Sequence, residues 1–294
     1  MIFIIIGGAS GSGKTGLSLH LLEKLKLNGV SAQILNMDDY YRECPEEVNL
    51  EEYRRDTNFD TPEMLHLDLL KEHIALLHNG KSVTKPIFDF KTNRRVDEEQ
   101  VHPSDVIIIE GIFAQYFYKK YWSFKVTVVT ANVATDSYAD IIERRISRDI
   151  EHRGRVRKDC LQQERKYVGP GFLKYTASSS MGADTYVTND HRDGLDGQNV
   201  ILDAAADEII ATINKKMEEQ QLDGKQETGE DIGAKNTSPN VRELVAKSHL
   251  LAGTLFQTRK FEGHFNGVFG DFKGTFVKEF TEKEEEEIIA QYKS

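Results

Sequence analysis

An apolar run, IFIII at residues 2–6, breaks straight into GGASGSGKT, and that junction constrains the fold more than any other stretch of the chain. A buried strand ends where the glycines begin. GLSLHLLEKLKLNG then places Leu17, Leu21, Leu22 and Leu25 at helical spacing before a glycine stop. Gly8, Ala9, Ser10, Gly11, Ser12, Gly13, Lys14 and Thr15 fit G-x-x-x-x-G-K-[ST] at every position, in the strand–loop–helix setting the pattern requires. There, backbone N–H groups are expected to turn inward around a β-phosphate while the helix N-terminus adds partial positive charge. Lys14 is expected to reach the β and γ phosphates and Thr15 to hold Mg2+.

The same alternation continues downstream. SAQILNM reads as a second strand, HLDLLKEHIALLHNG as a helix, VIIIEGI as a fully buried strand and KVTVVT as another; SYADIIERRISRDIEHRGR and NVILDAAADEIIATINKKM read as helices. The expectation is an α/β fold, a doubly wound parallel sheet of the P-loop nucleoside triphosphate hydrolase type, over residues 1–215. Residues 216–240, polar and poor in large apolar side chains, read as a linker. Residues 241–294 read as a small C-terminal accessory segment. Its FEGHFNGVFGDFKGTF stretch suits strands joined by glycine turns, either an accessory hairpin or a packing surface for a homo-oligomer.

Composition narrows the partners. A formal net charge of -10 argues against a general nucleic-acid binder, so any anion site must be local. The run at residues 2–6 is too short to span a bilayer and carries no export signal, and the two cysteines, Cys44 and Cys160, are far apart, which together point to a cytoplasmic protein with no membrane partner.

Further residues point to phosphoryl chemistry. LNMDDYYR puts Asp38 and Asp39 at the C-terminal edge of the second strand, where a carboxylate can take a proton from an attacking hydroxyl and lie near the metal. Glu110 ends the VIIIE strand, a usual place for an acid that holds Mg2+ indirectly. ERRISRDIEHRGRVRK concentrates Arg144, Arg145, Arg148, Arg153, Arg155 and Arg157 in an otherwise acidic chain. Arg145 and Arg148 share a helix face, and Gly154 lets Arg153 and Arg155 swing over bound phosphates as a lid would. A solvated charged face, paired with Glu143, Asp149 and Glu151, is the plainer alternative.

In order, GGASGSGKT, MDDYY, NFDTP, PIFDFKTNRR, VIIIEGIF, RRISRDIEHRGR and YVGPGF resemble the uridine–cytidine kinase family, relatives of phosphoribulokinase and bacterial pantothenate kinase, as far as about residue 214. The resemblance implies ATP as donor, Mg2+ as cofactor and a nucleoside as acceptor. It implies Asp38 as general base for the ribose 5′-hydroxyl, Tyr41 near the nucleoside, Asp60 on the ribose hydroxyls and Glu110 at the metal. It also implies Arg145 and Gln163 toward the substrate and Arg148, Arg153 and Arg155 around the phosphates. Two departures fall where that family reads the pyrimidine: its Tyr and His of YDFxxHxR are Phe88 and Asn93 here. A third puts Ser179 and Ser180 where it has basic residues. The expected activity is ATP-dependent phosphorylation of a primary hydroxyl, most simply a nucleoside 5′-hydroxyl, with Lys14, Asp38, Arg148 and Arg153 carrying catalysis. The alternatives are another hydroxyl acceptor, such as a sugar, a sugar phosphate or a pantothenate-like acid, or a regulatory protein that holds nucleotide without turnover.

Overall fold

The computed structural model describes residues 1–190 and 194–228. Strand β1 (Ile2–Gly8) lies at the centre of a five-stranded sheet in which β2 (Ala32–Asn36), β5 (Val106–Glu110), β1, β6 (Val128–Ala134) and β7 (Thr185–Thr188) run parallel in that order. Alternation along β1 builds both layers. Ile2, Ile4 and Ile6 face Leu17, Leu21 and Leu25 of α1 (Lys14–Leu27) and Ala206, Ile209 and Ile213 of the long helix Gly194–Thr228. Phe3 and Ile5 face the opposite way, in one cluster with Leu70, Ile74 and Leu77 of α3 (Leu67–His78) and Phe117 of α4 (Ala114–Tyr121). Each Ile, Leu or Phe among them, fully buried, contributes about 1.5–3 kcal/mol, so helices on both faces are what a two-sided apolar strand demands.

The doubly wound sheet is thus as expected, with differences at its margins. KVTVVT starts three residues early, because β6 runs on through Thr130 and Asn132, both buried. Thr130 satisfies its N–H and hydroxyl on Asp184, at 2.8 and 2.9 Å, which lets a polar residue sit in an interior strand. The short helix α2 (Leu50–Asp56), capped by Asn49, precedes α3, and an antiparallel hairpin of β3 (Val83–Asp89) and β4 (Arg94–Val101) stands apart from the main sheet. β4 is mostly charged and exposed, so it carries no apolar alternation to read.

Beyond α5 (Tyr138–Arg153), α6 (Arg157–Gln163) continues as a helical run to Ser180, wound as π turns over Glu164–Val168 and Phe172–Ala177. The wider winding, in which the Gly169 N–H bonds the Glu164 carbonyl, lets the helix pass through Pro170. The long helix extends to Thr228, so the polar text from residue 216 begins as helix. The rest of the expected linker, 229–240, and the accessory segment 241–294 lie outside the described residues. Among the described residues, no helix is long and apolar enough to cross a membrane.

Candidate active site

The C-terminal ends of β1, β2 and β5 bring the first expected residues together. Gly13 caps α1 with φ 103, a left-handed conformation in which a Cβ would also collide with the Asn189 amide. That close approach has a purpose, since Asn189 Nδ2 donates to the Ser12 carbonyl at 2.8 Å and fixes the loop from behind. Lys14 Nζ donates across the loop to the Ala9 carbonyl at 2.8 Å. Burial pushes Lys14 below the usual lysine range, with Glu110 and Asp38 opposing the shift.

Thr15 Oγ1 donates to Glu110 Oε1 at 2.9 Å. Burial raises the Glu110 carboxyl above its ordinary range, with the Lys14 charge opposing. A hydroxyl and a carboxylate are hard oxygen donors that fit Mg2+, which takes one or two protein carboxylates and completes its shell with phosphate oxygens and water. Among the described residues, no group of three or more His, Cys, Asp or Glu forms a metal cage by itself, so the donors present suit an ion that arrives with its phosphates.

The Asp38–Asp39 pair splits into two roles. Asn36 Oδ1 accepts from the Asp38 N–H at 2.9 Å and holds the short 3-10 turn Met37–Tyr40 at the end of β2. Among the described residues, no donor is bonded to the Asp38 carboxylate, and its charge acts on Lys14, Glu110, Tyr41, Asp60 and Arg153. Asp39 instead accepts from Lys85 Nζ at 2.6 Å and from the Phe88 N–H at 3.2 Å, and Lys85 also meets Glu99 at 2.8 Å. The second acid clamps the hairpin to the sheet and sets where Phe88 lies.

Around Asp38 on the far side stands a wall of rings. Tyr41 lies 5.7 Å from Phe88, 5.5 Å from Phe90 and 6.4 Å from Phe59, centroid to centroid, and its hydroxyl donates to the Phe59 carbonyl at 3.1 Å. Asn93, in the hairpin turn, is fully buried with φ 52; its Oδ1 accepts from Arg54 Nε at 2.9 Å, while its Nδ2 has no partner among the described residues. Gln163 donates to the Arg54 carbonyl, so Arg54 ties the hairpin turn to the end of α6. Burial pushes the Asp60 carboxyl up to about 7, with Arg145 opposing. Asp60, Arg145, Glu164 and Tyr138 line a cavity of about 10 Å³ against Ala9 and Ser10, enough for one water molecule.

The arginines divide by partner. Arg157 pairs with Glu143 at 2.6 Å on the surface, and Arg144 donates to the Asn189 carbonyl at 2.8 Å. Arg145 is buried against Glu164 at 2.8 Å. Arg148 donates to Ser10 Oγ at 3.1 Å, and Arg153 lies over the Phe90 ring at 3.8 Å. Arg155 lies 6.0 Å above the Phe59 ring, where burial and the Arg54 charge bring it down to about 10. Ser179 and Ser180 are buried and bond carbonyls of their own helix, at 2.6 and 2.9 Å. Sequence reasoning did not single out Asn189, Arg54, Phe59 or Phe90. Phe59 and Phe90 stand inside the NFD and FDF segments it quoted, whereas Asn189 carries no local signal at all.

The Phosphoribulokinase / Uridine kinase family model matches residues 3–191. The chain is 34% identical over 220 residues to the uridine kinase of Halalkalibacterium halodurans, covering 73% of this chain and 96% of that protein. It is 28% identical to the uridine kinase of Saccharomyces cerevisiae over 73% of this chain but only 42% of that protein, so it spans under half of the yeast relative's length. Among solved structures, phosphoribulokinase from Rhodobacter spheroides aligns at 14% identity and a TM-score of 0.42, over 62% of this chain and 67% of its own.

Proposed function

This chain belongs to the Phosphoribulokinase / Uridine kinase family, and from that premise we propose that it transfers the γ-phosphoryl group of ATP to the 5′-hydroxyl of a nucleoside, uridine first among them. It is a phosphotransferase with a small hydroxyl compound as acceptor. The observation that carries the finer reading is the Asp38 carboxylate, which bonds no donor among the described residues and whose charge acts both on Lys14 and Glu110 and on Tyr41 and Asp60. In this reading the acceptor oxygen bonds to the γ-phosphorus as the bond to the bridging oxygen of ADP breaks, and the hydroxyl proton passes to Asp38. Lys14, Arg148 and Arg153 neutralise charge on the transferred group. Thr15 and Glu110 would hold Mg2+, which supplies charge neutralisation on the β and γ phosphates.

Residues 1–215 would form the kinase domain, working in the cytoplasm, and the sequence is compatible with a homo-oligomer. A second reading, with a sugar, sugar phosphate or acid as acceptor, is favoured by Phe88, a buried ring without the hydroxyl that would discriminate a pyrimidine edge. The test is Asp38→Asn, isosteric and unable to take a proton. It should lower kcat with uridine by about a hundredfold or more while ATP affinity survives. Near-normal turnover removes Asp38 as the base; turnover of sugars but not uridine selects the second reading.

A further inference from the structure

One carboxylate in the lid has more partners than any surface pairing needs. Asp149, 6% exposed on α5, receives Arg148 Nη2 at 2.7 Å and Nε at 3.0 Å, and Arg153 Nη1 at 3.3 Å, all on its Oδ1 atom. Arg145 Nη1 lies 3.6 Å from its other oxygen. Its backbone carbonyl accepts from the Gly154 and Arg155 N–H groups, closing the helix at the bend. Arg145 has Glu164 as a second counter-charge, so Arg148 and Arg153 share Asp149.

These two arginines reach in opposite directions. Arg148 touches Ser10 of the phosphate loop, and Arg153 covers Phe90 of the hairpin. Burial first, and next the charge of Arg148, hold Arg153 below the usual guanidinium range, with Asp149 and Asp38 opposing. Asp149 is the carboxylate bonded to both guanidinium groups, with the Asp38 charge acting on Arg153 as well, and each guanidinium keeps further N–H donors that an arriving phosphoryl group can take up.

We propose that Asp149 is a positioning residue: its carboxylate fixes the separation of Arg148 and Arg153 so that both guanidinium groups are already placed around the phosphoryl group when it is midway between donor and acceptor. This rests on the reading of those arginines as phosphate ligands in phosphoryl transfer. The surface-face alternative raised from the sequence describes Arg157 and Glu143, half exposed, but not Asp149. Pre-placed donors cost no reorganisation at the moment of reaction, so the benefit appears with the transferring group and not with ADP.

The experiment compares binding of Mg2+–ADP alone with Mg2+–ADP plus aluminium fluoride, a mimic of the transferring phosphoryl group, in the full chain. Wild type should bind the mimic complex more tightly than ADP. Asp149→Asn should lose about tenfold or more of that gain while affinity for ADP alone stays within about twofold and the thermal midpoint is kept. In an Arg148→Ala, Arg153→Ala background the Asn change should cost nothing further, because its effect runs through those two side chains. Should the Asn protein fail to fold, Asp149→Glu keeps the charge but moves it by one methylene, and at least a threefold loss of the same gain is expected by the same reasoning. A full gain in the folded variant, or an undiminished penalty in the double-alanine background, overturns the role given to Asp149 alone. A wild type that gains nothing from aluminium fluoride overturns it together with the phosphoryl-transfer reading.

Discussion

The two ends of the proposed site, one for the phosphate donor and one for its acceptor, are built differently. At the donor end, Gly13, Lys14 and Thr15 are consecutive, and their partners, Ala9 and Glu110, lie on the same loop or one strand away. At the acceptor end, Tyr41 follows β2, Phe59 lies in a loop, Phe88 and Phe90 come from the hairpin, and Arg153 arrives from α5. In the proposed function the donor end grips with backbone and charge, which any nucleoside triphosphate satisfies. The proposed acceptor end is an assembly of rings from three separate segments with an arginine from a fourth, so its selectivity would change by single substitutions while the phosphate grip stays as it is.

The strongest way to break that separation is Lys14→Ala. Turnover should fall by a hundred- to a thousandfold, on the order of one lost charge-stabilising donor, and ATP affinity should fall with it. Stabilisation by the acceptor in a thermal-shift titration should be untouched; its loss would mean that the two ends are one site. Phe88→Tyr probes the other end. It should raise kcat/KM for uridine by about tenfold, the value of one regained polar contact, with the KM for ATP unchanged. Equal gains for sugars would show that the hydroxyl is read by nothing.

Asp60→Asn tests acidity at the boundary. An aspartate with an ordinary value of 3.8 in the unfolded chain and about 7 in the folded one leaves the folded state holding an extra proton between those values. Wild type should therefore lose thermal stability relative to Asp60→Asn as the pH rises from 4 to 7, and no further above that. A constant difference across the window would place the Asp60 carboxyl in water. The smallest effect belongs to Arg157→Ala. Its pair with Glu143 is half exposed on both sides, so the loss should stay under about 1 kcal/mol in denaturant melts, with kcat unaltered.

The same contrast explains what the sequence reveals. The phosphate loop is legible because strand, glycines and helix are contiguous and each has its own period or residue signature. Glu110 is legible because an acid ending an all-apolar strand has little structural reason to be there. The hairpin is not, since β4 is polar on nearly every residue and its clamp, Asp39 with Lys85, joins positions 46 residues apart. The sequence puts Asp38 and Asp39 side by side at the strand's edge, and only the fold shows that Asp39 is the tethered carboxylate. Asn189 is harder still: an asparagine past a four-residue strand, whose value lies in reaching back 177 positions to Ser12.

The place of β1 at the middle of the sheet has a consequence for how the chain comes to be folded. Its hydrogen-bonding partners are β5 and β6, beginning about a hundred residues further along. Until both have been synthesised, a strand of seven residues, five of them large and apolar, has neither edge paired. Loop closure over that distance must precede any reward, which slows the search and leaves a sticky edge available to neighbouring chains. Refolding yield should accordingly fall with protein concentration. A charge introduced at Ile4 would cure the stickiness only by destroying the sheet, so the hazard is inseparable from having the phosphate loop spring from a central strand.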